Sequence, residues 1–150
     1  RSRQSSDPEM TEKSKRVASA ISAMPYARHL GIGVVVANGG ADSILFHLPF
    51  EARLVGNVTL PAYHGGVVAT FMQVAALTTV YDLITEGRLP KLVNFSIDYL
   101  NSAGPLDLYA RCEVHRVGRR IATVGIRCWQ NDTKVPVALS RAHIFIGPPT

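Results

Sequence analysis

The sequence predicts an α+β domain in which a six-stranded antiparallel sheet wraps around one long central helix, with an extra helix at the N-terminus. Three observations carry this. The run from His64 to about Ile84 has helical length and almost no polar face, with Val67, Val68, Ala69, Phe71, Met72, Val74, Ala75, Ala76 and Leu77 inside it. A helix that is apolar all round must be buried. Four stretches with strand character follow it and two precede it, which supplies a sheet to bury it. At 150 residues the chain is long enough for one domain with a substantial core, and no internal repeat marks a second.

In chain order, residues 1 to 10 (RSRQSSDPEM) are polar and read as a flexible tail ahead of a single domain over 11 to 150. Thr11 stands before Lys13 to Met24, where Val17, Ala20, Ile21 and Met24 fall at helical spacing and Pro25 ends the helix. Leu30 to Ala37 reads as a strand, Asn38-Gly39-Gly40 as a turn, and Asp42 to Leu48 as the return strand. Pro49 to Pro61 is a long connection, of the kind that often carries function. After the central helix, Gly87 and Pro90 mark a change to strands. Leu92 to Leu100 places Val93, Phe95, Ile97 and Tyr99 on one face and Asn94, Ser96 and Asp98 on the other. Leu106 to His115 alternates cleanly, Gly118 forms a tight turn, and Arg120 to Trp129 and Val135 to Ile146 complete the sheet around an Asn131-Asp132 turn.

The formal charge is +5, and 18% of residues are charged. A basic balance favours anionic partners in general. No interleaving of aromatic and basic residues suits single strands, so nucleic acid is not an expected partner. The most apolar run, Val67 to Leu77, is short for a bilayer and holds Thr70 and Gln73, so no membrane partner is expected. No signal-peptide pattern opens the chain, and a cytoplasmic location is the expectation. Cys112 and Cys128 fall on neighbouring strands and read as packed, reduced thiols. His29, His47, His115 and His143 have no metal-ligand spacing, and no metal is expected.

The informative segment is Gly56 to Thr70, GNVTLPAYHGGVVAT. A helix start offers unpaired backbone N–H groups and the positive end of a dipole. Gly65 and Gly66 let a ligand approach that backbone. Such a place suits a carbonyl oxygen that becomes an oxyanion during acyl transfer. The alternative is a tight turn into the helix with His64 as its cap.

This segment resembles the loop–His-Gly-Gly–helix motif of PaaI-like hotdog-fold acyl-CoA thioesterases. The stretch Ser96-Ile97-Asp98-Tyr99-Leu100-Asn101-Ser102-Ala103 resembles that family's strand ending, and Arg111 to Val124 its next hairpin. The resemblance runs from about Leu30 to Ile146. It implies a hotdog fold and hydrolysis of an acyl-CoA or related thioester, with CoA as part of the substrate and no other cofactor. It implies a homodimer or a dimer of dimers. The Asn57 side chain and the Gly65 N–H would hold the thioester carbonyl, with Gly66 beside them, and His64 would shape the loop. Basic residues near the hairpins, here Arg119 and Arg120, would meet CoA phosphates; otherwise they are an ordinary charged hairpin end.

The chain departs from the family pattern. Where relatives carry an acid that acts as base or nucleophile, it has Gln73. Where many have Ser or Thr near the attacking water it has Leu92, and Asn101 and Ala103 replace the usual Arg and Pro. An amide can hold water but cannot take a proton near neutral pH. Gln73 therefore either orients the water or is a buried amide at a subunit interface. Asp98 and Asn94 are the next candidates for an acid and a polar contact; Asp98 otherwise reads as a solvated or salt-bridged surface residue. Gly65 and Gln73 lie eight residues apart, roughly 12 Å along a helix. One thioester carbon cannot touch both, so a site using both draws on two chains. The expected activity is thioester hydrolysis weakened by Gln73. The alternative is a hotdog protein that binds acyl-CoA without cleaving it. Hotdog dehydratase activity ranks third, because it needs an acid beside a histidine.

Overall fold

The structure, a computed structural model, describes residues 10–35, 44–84 and 90–148. Helix α1 (Glu12–Ser22) begins at Thr11, whose side chain accepts from the Ser14 N–H at 3.1 Å. That bond satisfies one of the free donors of the first turn. Val17 and Ile21 bury the inner face of α1. Pro25 ends α1, as the sequence suggests, but it also opens a second helix, α2 (Pro25–Leu30), that the sequence reading lacks. Proline suits a first helical position, where its missing N–H costs nothing. Gly31 then closes α2 at φ 87°, a left-handed conformation that glycine adopts freely.

Strands β1 (Gly33–Val35) and β2 (Leu45–Leu48) follow. The Asn38-Gly39-Gly40 turn, the tail over 1–9 and Gly87 lie outside the described residues. The connection read as loop from Pro49 contains a single 3-10 turn (Ala52–Leu54) and a two-stranded sheet, β3 (Val55–Asn57) with β4 (Ala62–Tyr63). Helix α3 (Gly65–Leu83) then crosses the molecule. Strands β5 (Lys91–Tyr99), β6 (Leu108–Val117), β7 (Ile121–Trp129) and β8 (Ala138–Phe145) complete the main sheet. Its order is β1-β2-β6-β7-β8-β5, and every pairing is antiparallel.

Helix α3 lies on the inner face of β5 to β8 and packs against α1 on its other side. Its length and composition would also suit a membrane span. Its packing is that of a core helix: Phe71, Met72, Ala75 and Ala76 are fully buried against Leu108, Val124 and Ala142. Arg16 Nε donates to Asp82 Oδ1 at 2.8 Å and ties α1 to the last turn of α3. Cys112 and Cys128 are free and stand diagonally, opposite Ile126 and Ala110. Diagonal neighbours sit about 7–8 Å apart, too far for a disulfide.

Two β-bulges interrupt the alternation read from the sequence. In β5, Leu92 pairs with Ile144 and Asn94 with His143, so Val93 is the extra residue. Leu92 turns inward against the core, and Val93, read from the sequence on one face with Phe95 and Ile97, is exposed. In β6, Val114 pairs with Val124 and Arg116 with Thr123, so His115 is the extra residue. Its ring lies over Gly125, so closely that a Cβ there would overlap His115 Nε2.

Candidate active site

The start of α3 is held on every side. Tyr63 N–H donates to the Ala103 carbonyl at 2.9 Å, and His64 N–H donates to the Leu54 carbonyl at 2.9 Å. Gly56 packs so closely that a Cβ there would stand 2.7 Å from His64 Cα. Position 56 therefore needs glycine, and Asn57 is fixed next to the turn into the helix. Burial holds the Tyr63 hydroxyl far above its ordinary range, so it stays a neutral donor, at 2.9 Å from the Leu106 carbonyl.

His64 is the N-cap of α3. Its Nδ1 accepts from the Gly66 N–H at 2.9 Å. The capping alternative read from the sequence is thus realised. The His64 carbonyl accepts from Val67 N–H at 3.0 Å and from Val68 N–H at 3.4 Å. The Tyr99 hydroxyl donates to the Gly65 carbonyl at 2.7 Å. Both peptide planes flanking Gly65 are therefore pinned. One group in them remains: no acceptor among the described residues takes the Gly65 N–H. A fixed, unused donor at the positive end of a helix is the element an oxyanion site requires.

Asn57 completes a second donor position. Its Oδ1 accepts from Thr59 N–H at 3.0 Å and Leu60 N–H at 3.2 Å, which orients the amide. Its Nδ2 donates to no described residue. Beside Gly65 opens a cavity of about 350 Å³, walled by Val68, Tyr99, Asn101 and Ala103 among others. Asn101 Nδ2 donates to the Pro136 carbonyl at 2.8 Å, which leaves its oxygen toward solvent as an acceptor rather than the cation the family pattern supplies.

The remaining sequence-predicted residues lie elsewhere in the single chain. Gln73 sits half-buried on the least covered line of α3, with Gly66, Thr70 and Leu77, and its amide has no hydrogen bond among the described residues. Leu92 is a half-buried core contact opposite Ile144, about 23 Å along β5 from Tyr99. Asn94 is exposed on the outer face, in register with His143. Asp98 shares that face, in a groove with His115, Gly125 and Arg141. Neither reaches the start of α3, because alternation after the bulge turns both away from the helix. Arg119 and Arg120 stand at the β6–β7 turn, at the opposite end of the sheet from Gly65. Tyr99 is the residue the sequence reading missed as a site member. Strand alternation and the Ser96–Ala103 stretch place it in the sequence without a role, and its bond reaches back 34 residues.

The chain matches the family model of the acyl-CoA thioesterase N-terminal domain over residues 56–144. It belongs to that family. The matched span opens at Gly56 and includes α3 and β5 to β7, so it contains the site just described. No curated protein matches the sequence. Among solved structures, a Chromobacterium violaceum protein is 34% identical, with a TM-score of 0.71 over 91% of this chain and 93% of its own. A protein of the thioesterase superfamily is 26% identical, with a TM-score of 0.80 over 91% of this chain and 99% of its own. A phenylacetic acid degradation-related protein from Ralstonia eutropha shares the fold at 19% identity, with a TM-score of 0.70 over 87% of this chain and 99% of its own. These likenesses and the helix-in-sheet arrangement make this a hotdog fold of the thioesterase superfamily.

Proposed function

We propose that the chain is a PaaI-like acyl-CoA thioesterase that works as a homodimer and turns over slowly. The observation that carries this reading is the single unengaged Gly65 N–H, fixed at the helix start and opening on a cavity. In this reading the thioester carbonyl accepts from Gly65 N–H and Asn57 Nδ2, and the donors strengthen as the carbonyl oxygen gains charge. Gln73 of the partner subunit orients the attacking water. Two features support two chains. The span of roughly 12 Å from Gly65 to Gln73 exceeds the reach of one reacting centre. Strand β5 is a nine-residue sheet edge, and long open edges are usually covered. A two-fold pairing of β5 edges sets the α3 helices antiparallel and brings each Gly65 toward the other chain's Gln73. A further pairing into a dimer of dimers belongs to the same proposal and is read by sedimentation. The unpaired Cys112 and Cys128 suit a reducing compartment such as the cytoplasm.

Slow turnover follows from Gln73. A positioned base contributes about 10²- to 10⁴-fold, and an amide supplies only its orienting share. The test is release of free CoA from a panel of acyl-CoA thioesters by the wild type and by Gln73→Asp. The expected result is measurable wild-type release and a gain of at least tenfold in kcat for the variant. Equal rates would make Gln73 an interface amide without a role in the chemistry.

A second reading is favoured by one observation: neither Asp98 nor Asn94 faces the helix start, so neither of these candidates replaces the missing acid within one chain. The protein then binds acyl-CoA without cleaving it. Thermal stabilisation by acyl-CoA with no release of CoA from any panel member selects this reading.

A further inference from the structure

The outer face of the sheet, turned away from α3, carries a groove at mid-sheet. Alternation sends Tyr109, Arg111 and Glu113 of β6 outward, with Arg127 and Trp129 of β7 beside them. In register, Tyr109 stands opposite Trp129, Arg111 opposite Arg127, and Glu113 opposite Gly125. Gly125 has no side chain to fill its place in this array, and the ring of the bulge residue His115 lies there as a floor. Arg111, Glu113, His115, Arg127, Trp129 and Leu139 line the open groove above it, which holds about 440 Å³. That is a volume typical of small-molecule sites.

Packing alone does not explain two features of the groove. The first is Arg111 directly opposite Arg127. Like charges in direct cross-strand register destabilise a sheet. Neither guanidinium forms an ion pair among the described residues; Arg127 Nη1 donates to the Thr133 carbonyl at 3.1 Å. The second is Trp129, the only tryptophan of the chain. It stands on the outer face and yet is 7% exposed, stacked on Tyr109 and walling the groove beside the arginines. Leu139, in register with Arg127, adds a second apolar wall.

An anion between the two guanidinium forks would turn their repulsion into charge-assisted contacts. Trp129, Leu139 and the His115 ring offer surface to an apolar body. Glu113 sets the charge. With His115 neutral, two arginines against one carboxylate leave one net positive charge, which suits a monoanion and disfavours a dianion. We propose that this groove binds a small carboxylic acid with a flat apolar body. The carboxylate sits between Arg111 and Arg127, and the body lies on the His115 ring against Trp129 and Leu139. The sheet separates the groove from α3, so the proposal stands whether or not the chain hydrolyses thioesters.

The probe is benzoate, titrated into the full chain by calorimetry at constant ionic strength, with Trp129 fluorescence as an independent signal. The expected result is saturable binding with a Kd of roughly 1 mM and a matching fluorescence change. Benzamide keeps the ring without the charge, and acetate keeps the charge without the ring; each should bind at least fivefold more weakly. Arg111→Gln and Arg127→Gln should each weaken benzoate at least fivefold, as the loss of a charge-assisted contact implies. Arg28→Gln, which removes an exposed charge from α2, should bind as the wild type does. Without ligand, Arg111→Gln should unfold at a temperature no lower than the wild type, because it relieves a pair of like charges; this also checks the fold of that variant. No saturable binding of benzoate, equal affinity for benzamide or acetate, or unchanged affinity in either groove variant overturns the proposal. A loss in Arg28→Gln as large as that in Arg111→Gln also overturns it, since binding would then follow net charge alone. So does a clearly lower unfolding temperature for Arg111→Gln, which would show that the arginine pair carries no repulsion for a ligand to relieve.

Discussion

Replacing Tyr99 with Phe removes one hydrogen bond, the 2.7 Å donation to the Gly65 carbonyl. Tyr99 is 54% exposed, so water can take the place of its hydroxyl. The stability cost is therefore that of an ordinary hydrogen bond, about 0.5–1.5 kcal/mol. The effect on chemistry follows from where the bond sits. It fixes the plane after Gly65, and His64 Nδ1 fixes the N–H end of the same plane. Without Tyr99 the glycine regains freedom, and its own N–H no longer points in one direction. Loss of a whole oxyanion donor costs about 10²- to 10³-fold in kcat. Tyr99 orients the donor and is not itself the donor, so the expected loss is about fivefold to tenfold, near 1–1.4 kcal/mol of activation free energy. The assay is thiol release from the best acyl-CoA of the panel, with kcat and KM measured separately beside thermal unfolding. KM should stay within about twofold, because ground-state binding along the cavity is unchanged. If the wild type turns over and the variant keeps its kcat, the geometry of Gly65 does not depend on Tyr99, and the argument is refuted.

Further expectations concern the supports of the site and the core. Gly56→Ala places a methyl group against the His64 backbone. It should cost about 1–3 kcal/mol by overpacking, and should lower thioester turnover more than Gly33→Ala, where a Cβ meets nothing within 4 Å; unfolding midpoints and rates of the two variants check this. Burial pushes the thiols of Cys112 and Cys128 up to about 12. Both should resist iodoacetamide at pH 8 in the native protein and react on unfolding, as mass spectrometry would read; rapid native labelling would contradict the packing. Asp107 accepts from Phe50 N–H at 2.8 Å and pairs with His47 at 2.8 Å, which hold its carboxyl below the usual range. Because the folded state binds this proton less readily than the unfolded chain, the stabilisation is full above pH 5. It fades as pH falls below about 4. Urea midpoints of the wild type and Asp107→Asn should differ at pH 7 and draw together as the pH falls below the ordinary carboxylate range.

The central helix was legible because its signal is local: 19 residues of nearly continuous apolar character, opened by His-Gly-Gly. The later strands were legible for the same reason, since Leu108, Ala110 and Cys112 alternate with polar neighbours. What escaped the sequence was non-local or ambiguous in kind. Pro25 fits both the end of one helix and the start of the next. The bulges at Val93 and His115 are facts of register between strands, and the pattern of one strand cannot report them. Asn94 and Asp98 face away from the site on the side that the alternation of β5 already assigns them, opposite Phe95 and Ile97; only Val93 changes face. Asn57 was found by motif, but the turn that commits its oxygen and frees its nitrogen needed the positions of Thr59 and Leu60.

The cap on α3 also constrains where a proton can go. The Gly66 N–H can only donate, so His64 Nδ1 must present a lone pair, and the neutral ring then carries its proton on Nε2. A ring held in that tautomer has no vacant nitrogen for the proton of an attacking water. Accepting one at Nδ1 would break the bond that caps the helix. His64, the only histidine at the helix start among the described residues, is thereby withdrawn from base chemistry, and in the proposed hydrolysis the proton would pass to bulk water or to a group brought in by a second subunit. Restoring an acid at position 73 would supply such a group without disturbing the cap.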